Sequence, residues 1–352
     1  MPRSLEDVLV RKLTDAFSNG KLYAPKTDSE RRGLKRRVRK GTVTSPYKGL
    51  YALKDQWAEA EKSQQYKMII ATLAELYPSW VFCSFSAASM QGLEVPFTEM
   101  NRIHIATTCS RRTHGLVCHH MKINEHVTVN GVKCASVESS AFECIRKSDF
   151  KYALAVADSA LRLLKLNANE MIDRLATKCK GKHGMAYVKD VFSYANSKAE
   201  NGGESYARAV MIENGVMLPK LQVEHYDPVT KTKYRDDFEW ELKTGNVAGE
   251  LDGNKKYTLI AKERGLTIEQ VLLEERQRES RLRNQGLKFA RFSFDQLRNV
   301  CLLYTSPSPR NGEQSRSERT GASARNRLRM AARLPTEEPR RQKSPLAYNQ
   351  RA

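Results

Sequence analysis

The residues whose types and spacing suggest chemistry most clearly are three carboxylates in the segment 235–257, RDDFEWELKTGNVAGELDGNKKY. Glu250 and Asp252 lie two residues apart in a predicted strand, so their side chains share one face. A Lys-Thr-Gly-Asn turn predicts a hairpin that brings this face toward Asp237 in the preceding strand. Three carboxylates repel one another unless a hard cation lies between them, and Mg²⁺ takes such oxygens together with water and substrate phosphate. The segment therefore predicts a magnesium site formed by Asp237, Glu250 and Asp252.

The elements that must position these acids follow from the apolar pattern. Residues 233–242 predict a strand with Phe238 and Trp240 on one face, and with Arg235, Asp237 and Glu239 on the other. Upstream, GGESYARAVMIENG at 202–215 predicts a helix with Glu204 in its first turn. A structural explanation stays open, because Asp252-Gly253 is also typical of turns and Glu204 is also favourable at the positive end of a helix.

The charge balance indicates the partner. The 352 residues carry 60 Lys and Arg against 40 Asp and Glu, a net charge of +20. Such an excess favours a polyanion partner, and the N-terminal pattern described below makes double-stranded DNA the predicted one. A chain of this kind can hold phosphates on its basic surface and cut them at a metal site.

Other function classes find little support. No apolar run approaches the ~18 residues of a membrane span, and the N-terminal MPRSLEDVLVRK carries charges where a signal peptide needs an apolar core. We therefore expect a cytoplasmic protein with no membrane partner. Seven cysteines without a C-x-x-C pair predict neither a disulfide framework nor a zinc site.

The segment 301–352 differs from the rest of the chain. It is rich in Arg, Ser, Pro and Ala without apolar periodicity, which is typical of a disordered basic tail. Its start, CLLYTSPSPR, resembles the translation of a transposase-type sequencing adapter, so we interpret the tail as adapter read-through and leave it out of the fold. The tail holds 11 Lys and Arg against four Glu, so residues 1–300 keep 49 against 36 and remain basic at +13.

The N-terminal residues predict a winged helix-turn-helix. Helical spacing over 5–20 is followed by a basic helix over 27–41, with Ser29 as its expected N-cap, and by a strand–turn–strand over 42–53. In that arrangement a helix enters the major groove while the wing touches the adjacent backbone. A solvated basic helix, or one that binds RNA or an anionic surface, is the alternative. The candidate DNA contacts are Arg31, Arg32, Lys35, Arg36, Arg37, Arg39, Lys40 and Lys48.

The middle of the chain predicts an α/β scaffold. Expected elements are a helix over 61–80, strands over 102–108 and 115–121, a hairpin over 126–136 turning at Asn130-Gly131, and helices over 136–164 interrupted near Ser148-Asp149. His119 and His120 point to opposite faces of a strand, so we expect them not to chelate a metal together.

Several of these segments resemble a known family. SERRGLKRRVRKGTVTSPYKGLYAL is similar to the winged helix of AbiEi-type antitoxins, the transcriptional regulators of type IV toxin–antitoxin pairs, and WVFCSFSAASMQGLEV and VNGVKCASVESSAFECIR resemble their middle segments. GGESYARAVMIENG, YRDDFEW, GELDGNKKY and EERQRESRLRNQGLKFARFSFDQL are similar to the very-short-patch-repair-like domain of the PD-(D/E)xK nuclease superfamily. The resemblance covers about residues 5–300 and lies in the order of segments rather than in one motif.

The resemblance implies roles for particular residues. Glu204 matches the helix acid, Asp237 the acid of the first strand and Glu250 the first acid of the second strand. Asp252 stands where the superfamily has Lys, and Lys255 or Lys256 in the following turn is expected to replace that charge. The departure at Asp252 weakens the expectation of catalysis more than that of the fold.

We therefore expect a multi-domain α/β protein. Its expected parts are a winged helix-turn-helix over 1–57, an antitoxin-like α/β domain with a helical linker over 58–195, a restriction-endonuclease-like domain over 196–300 and a disordered tail over 301–352. The leading hypothesis is a DNA-binding regulator of antitoxin type that acts on an operator, with a cognate toxin as a further partner. The alternatives are a Mg²⁺-dependent DNA endonuclease of repair or defence type, and an interaction protein that neutralises a partner enzyme through the middle domain.

Overall fold

The structure is a computed structural model that describes residues 5–108, 111–113, 115–121, 126–227, 229–252 and 256–298. The predicted tail over 301–352 lies outside these residues. The described chain combines 13 α-helices with three β-sheets, which confirms a mixed α/β fold. Within this part of the chain, no helix is both long enough and apolar enough to cross a bilayer.

The N-terminal part is built from two helices and a hairpin. These are α1 (Leu5–Ser18), α2 (Asp28–Lys40), β1 (Val43–Tyr47) and β2 (Leu50–Leu53). The core between them consists of Leu9, Leu13, Leu34, Val43 and Tyr51. These apolar residues lie on the inner side of each helix and of the hairpin, which explains why the two helices pack against the hairpin.

Local signals set the ends of α2. The N-cap is Thr27 rather than the predicted Ser29, because Thr27 and Glu30 form a reciprocal capping box. The helix ends at Gly41, as predicted, with a left-handed φ of +79° that a side chain would resist.

The middle part packs helices around a six-stranded sheet of order β5-β6-β4-β3-β8-β7. Its helices are α3 (Lys54–Glu59), α4 (Lys62–Leu76), α5 (Ser84–Met90), α6 (Val137–Ile145), α7 (Phe150–Leu164), α8 (Ala168–Lys178) and α9 (Met185–Ser193). Its strands are β3 (Val81–Phe82), β4 (Ile103–Thr107), β5 (Arg111–Thr113), β6 (Leu116–His120), β7 (Val127–Val129) and β8 (Val132–Cys134).

Two sequence predictions for this part are confirmed. The Asn130-Gly131 turn joins β7 to β8 with positive φ at both residues, +49° and +78°, as a tight hairpin needs. Helix α6 ends at Ile145 and α7 begins at Phe150, on either side of the predicted interruption.

The C-terminal part has a sheet between helices. Its elements are α10 (Gly202–Glu213), β9 (Lys220–Asp227), β10 (Thr232–Leu242), β11 (Gly245–Asp252), α11 (Lys256–Arg264), α12 (Ile268–Asn284), β12 (Lys288–Ser293) and α13 (Phe294–Arg298). The strand order is β12-β11-β10-β9, antiparallel except for the parallel pair β11–β12. Residues of α10 pack on one face with Phe238 and Leu251, and Leu282 of α12 packs on the other with Ala248.

A buried ion pair joins the C-terminal part to the middle part. Arg208 of α10 donates to Asp158 of α7 at 2.8 Å, and both side chains are almost completely buried. Arg208 also donates to the Tyr194 carbonyl, while the Asn196 N–H donates to Asp158. These extra bonds compensate the cost of removing two charges from water, so α10 is held in one position on α7.

We expect Arg208→Ala to lower the free energy of unfolding by about 3–5 kcal/mol, because it leaves the Asp158 charge buried without its cation. The matched control is Arg264→Ala, which removes an exposed pair with Glu274 and should cost about 0–1 kcal/mol. Urea unfolding followed by circular dichroism measures both. Equal losses in the two variants would contradict the role of the buried pair.

Candidate functional site

One exposed face of α2 concentrates positive charge. Seven of the eight predicted DNA contacts are exposed: Arg31, Arg32, Lys35, Arg36, Arg39, Lys40 and Lys48. Lys48 lies with Gly49 in the two-residue turn between β1 and β2, where Tyr47 pairs with Leu50. The hairpin that follows the helix thus adds one more exposed cation, and a set of exposed cations suits a run of phosphates.

Arg37 does not belong to this face. The structure buries it to 8% exposure beside Leu34, on the side of α2 that packs against the rest of the N-terminal part. The prediction treated every cation of the helix as available, but at 3.6 residues per turn one of them has to face inward. Arg37 is therefore a packing residue and not a candidate phosphate contact.

A buried carboxylate fixes the orientation of the basic helix. Lys12 of α1 donates to Glu30 of α2 at 2.6 Å, and the backbone N–H groups of Lys26 and Thr27 donate to the same carboxylate. The Lys12 hydrogen bond, helped by these N–H groups, lowers the pKa of Glu30 to about 2. The charge of Glu30 is thus used inside the fold, and the cations on the outer face of α2 remain in solvent.

The positions of the acidic residues in the C-terminal sheet depend on one irregular step in β10, a point where the alternation of side chains between the two faces breaks. Tyr234 packs with the α12 side and Phe238 with the α10 side, although a regular strand would place both on one face. Pairing with β9 skips Asp237 and Gln222, and Gln222 has a φ of +55°. The alternation of β10 therefore breaks between Asp236 and Phe238.

This step turns Asp237 toward α10. The Leu251 N–H donates to the Asp237 carboxylate at 3.3 Å, and the charge of Asp237 acts on Glu204 in the first turn of α10. Gln222, which lies opposite Asp237, donates to Glu204 at 3.0 Å. Asp237 therefore lies on the side of the sheet that α10 covers, near Glu204.

Glu204 has an environment that favours its proton. It is 2% exposed and accepts hydrogen bonds from the Glu200 N–H and the Asn201 side chain. Burial, together with the nearby negative charge of Asp237, raises the pKa of Glu204 to about 7. The carboxyl group can thus gain or lose a proton near neutral pH, or share a cation with Asp237.

Glu250 lies on the opposite face. It accepts a hydrogen bond from Arg278 of α12 and lies 3.6 Å from Arg291, its partner in β12. Burial raises its pKa, while the two guanidinium groups act in the opposite direction. The expected grouping of Glu250 with Asp237 is thus not seen, because the irregular step separates the faces.

The remaining predicted site residues lie partly outside the described structure. Asp252 ends β11, but its side chain is not among those described, and the same holds for Lys256 at the start of α11. Lys255 lies outside the described residues. The prediction that Glu239 shares a face with Asp237 is wrong, since Glu239 lies on the opposite face, beside His225.

Glu239 belongs to a second group that the sequence analysis missed. His225 of β9 lies with its Nε2 atom 2.7 Å from Glu239 Oε2 and 3.1 Å from Asp236 Oδ2. Asp236 is completely buried, and burial raises its pKa to about 6. The sequence could have indicated this group. Asp236 and Asp237 are adjacent in a strand that is covered on both faces, so one of the two acids has to lie on each face.

Gly249 lets β11 pack closely against Trp240 and Phe238 of β10. A side chain there would place its Cβ 2.5 Å from the Trp240 ring, closer than atoms can approach, and 3.2 Å from Phe238. Glycine is therefore needed at the position before Glu250.

Among the described residues, the histidines of the middle sheet are not part of a group of three metal-binding side chains. His119 lies 2.9 Å from His104, whereas His120 lies 2.7 Å from the Thr108 carbonyl. The prediction that His119 and His120 point in different directions is confirmed.

Comparison with known proteins finds two relatives that are themselves uncharacterized. Two curated relatives from Mycobacterium tuberculosis strains, the uncharacterized proteins MT2308 and Rv2248, are each 29% identical to this chain over 160 residues. The match covers 46% of this chain and 58% of either relative, so the chain spans little more than half the length of the curated relatives it matches. No family model and no solved structure matches the chain.

The raised pKa of Glu204 predicts a pH dependence of stability. The native state holds this proton more tightly than the unfolded chain, so the free energy of unfolding falls as pH rises from about 4.5 to about 7. We expect Glu204→Gln to flatten this fall, by on the order of 2–3 kcal/mol over the whole range.

Urea unfolding of the protein and the variant at pH 5, 6, 7 and 8 measures this effect. The matched control is Glu241→Gln, which changes an exposed carboxylate of β10 and should leave the slope unchanged. An identical slope in the protein and in Glu204→Gln would show that Glu204 has no raised pKa.

Proposed function

We propose that this protein is a DNA-binding transcriptional regulator of antitoxin type that carries a nuclease-like C-terminal domain. The observation that carries the proposal is the exposed basic face of α2, followed in the chain by a hairpin whose turn exposes Lys48. DNA carries a phosphate charge every ~1.7 Å of its axis, so a helix of 13 residues, about 20 Å long, can meet several phosphates at once.

The order of elements supports a winged-helix interpretation. Helix α1, basic helix α2 and the β1–β2 hairpin follow one another as in a helix-turn-helix reader with a wing, and Tyr23 adds an isolated bridge to Tyr51 of the hairpin. Glu30 holds α2 against α1 through Lys12, so the basic face is presented by a rigid support. The resemblance to AbiEi-type antitoxins supports an operator as the target and a cognate toxin as a further partner.

The C-terminal topology supports the nuclease-like assignment. One helix, three antiparallel strands, two helices and a fourth strand parallel to the third follow in the order expected of a restriction-endonuclease-like core. Arg278 and Arg281 of α12 are engaged inside this unit, with Glu250 and Asp227. These two arginines thus stabilise the domain, and the proposed DNA contact is the exposed face of α2.

We expect Arg36→Ala with Arg39→Ala to weaken binding to duplex DNA by at least tenfold and to lower the slope of log K against log salt by about two. The matched control is Lys180→Ala with Lys189→Ala, which removes the same charge from exposed positions outside α2. Fluorescence anisotropy with a labelled duplex at several salt concentrations measures both. Equal weakening in the two double variants would contradict the assignment of α2.

The regulator proposal also needs sequence preference. A duplex from the region upstream of the gene should bind more tightly than a shuffled duplex of equal length in the same assay. Equal affinity for both would leave general DNA binding and would contradict the regulator function.

A Mg²⁺-dependent endonuclease is the second candidate function, and the pairing of Glu204 with Asp237 favours it. Two carboxylates on one face fit the oxygen ligands that Mg²⁺ uses in phosphate chemistry, whereas Glu250 is occupied by Arg278 and Arg291. Glu204 and Asp237 would hold the Mg²⁺, which would supply a Lewis acid for a phosphodiester. The residues themselves hold the site: Gln222 and Asn201 orient Glu204, and the Leu251 N–H orients Asp237.

This second function predicts nicking of supercoiled plasmid in the presence of Mg²⁺. Activity should rise with pH through about 7, because Glu204 has to lose its proton. Asp237→Ala should abolish the nicking, and the control Asp173→Ala, at an exposed position of α8, should leave it intact. Nicking that survives Asp237→Ala would remove this site from consideration.

A further inference from the structure

The face of the C-terminal sheet that packs against α12 holds a group of three metal-binding residue types, separate from Glu204 and Asp237. His225, Asp236 and Glu239 each offer a ligand atom, and these atoms lie within 4.8 Å of one another. His225 comes from β9 and the two acids from β10, so the group bridges neighbouring strands. The irregular step at Asp237 makes this possible, because it puts residues three apart on one face.

The hydrogen-bonding pattern leaves one ligand unmatched. The single proton that His225 Nε2 can carry serves Glu239 at 2.7 Å. Asp236 is completely buried, yet neither of its carboxylate oxygens accepts a hydrogen bond from any residue that the structure describes. The Arg278 guanidinium is 3.9 Å from Asp236, too far for a hydrogen bond. A buried carboxylate directed at a histidine in this way costs free energy unless a cation meets it.

The balance of charges around this group also favours a bound cation. Five carboxylates belong to one network of contacts, those of Asp236, Glu239, Glu250, Glu275 and Glu279. Three guanidinium groups, of Arg278, Arg283 and Arg291, lie among them. When all five acids are ionised, this set has an excess of two negative charges, which one divalent cation would balance.

The donor set indicates which cation. One imidazole nitrogen with two carboxylate oxygens is a ligand set for Zn²⁺, whereas Mg²⁺ takes oxygen ligands and keeps most of its water. Ligand atoms bound tetrahedrally at 2.0–2.1 Å lie about 3.3–3.4 Å apart, close to the spacing already present around His225. His225 is 20% exposed, so water can reach a fourth position.

We propose that His225, Asp236 and Glu239 form a Zn²⁺ site that ties β9 to β10 on the side of α12. The ion fixes Asp236 on this side of the strand and thereby holds the irregular step that turns Asp237 toward Glu204. The site is structural in effect, and it is independent of whether the protein binds DNA or cuts it.

The test uses the full chain, freed of metal with a chelator and then titrated with Zn²⁺ by calorimetry. We expect one equivalent per chain whose affinity falls at least tenfold in His225→Ala and in the isosteric Glu239→Gln. The matched control is His183→Ala, which removes an exposed imidazole from outside the sheet and should leave this equivalent unchanged. Circular dichroism checks that each variant is folded, and Glu239→Gln decides the matter if His225→Ala does not fold.

Co²⁺ in place of Zn²⁺ gives a second readout on the unaltered protein. We expect visible absorption typical of a four-coordinate site, which Zn²⁺ displaces with the stoichiometry of the calorimetric titration. Binding that is the same in both variants as in the unaltered protein, or no binding by the unaltered protein, would overturn the site.

Discussion

The arrangement of the C-terminal sheet depends on one break in the alternation of β10. Between Asp236 and Phe238 the strand places two consecutive residues, Asp237 and Phe238, on the side of α10. The side chains of β10 that precede the break therefore lie on the face opposite to the one that a regular strand would give them. A buried core, a pair of acids near α10 and a second acidic group near α12 all follow from this local feature.

The repulsion between neighbouring acids is reduced in a different way on each side of the sheet. Near α10 the problem is reduced by protonation, since Glu204 has a pKa of about 7 beside Asp237. Near α12 the acids are met by guanidinium groups from α12 and β12, which reach Glu250 from two sides. The strongly basic composition of the chain is thus partly an internal requirement. Helix α2 itself presents six exposed cations to an external polyanion, while its buried acid Glu30 is bound by Lys12 inside the fold.

Much of this fold was accessible from the sequence. The helix stop at Gly41, the hairpin at Asn130-Gly131 and the helix break before Phe150 are local features, and each has a residue whose backbone preference decides the outcome. Two of the wrong expectations concern which face a side chain lies on. The burial of Arg37 depends on how α2 rotates against its neighbours, and the separation of Asp237 from Glu250 depends on the break in β10, opposite which Gln222 has a positive φ that its residue type does not signal.

The most direct test of this account is a crystal structure of the protein soaked with Zn²⁺, with anomalous difference density collected at the zinc edge. The account predicts Asp236 and Asp237 on opposite faces of β10, with an anomalous peak bonded to His225, Asp236 and Glu239. A regular β10 that carries Asp237 and Glu239 on one face, without a peak at His225, would contradict it.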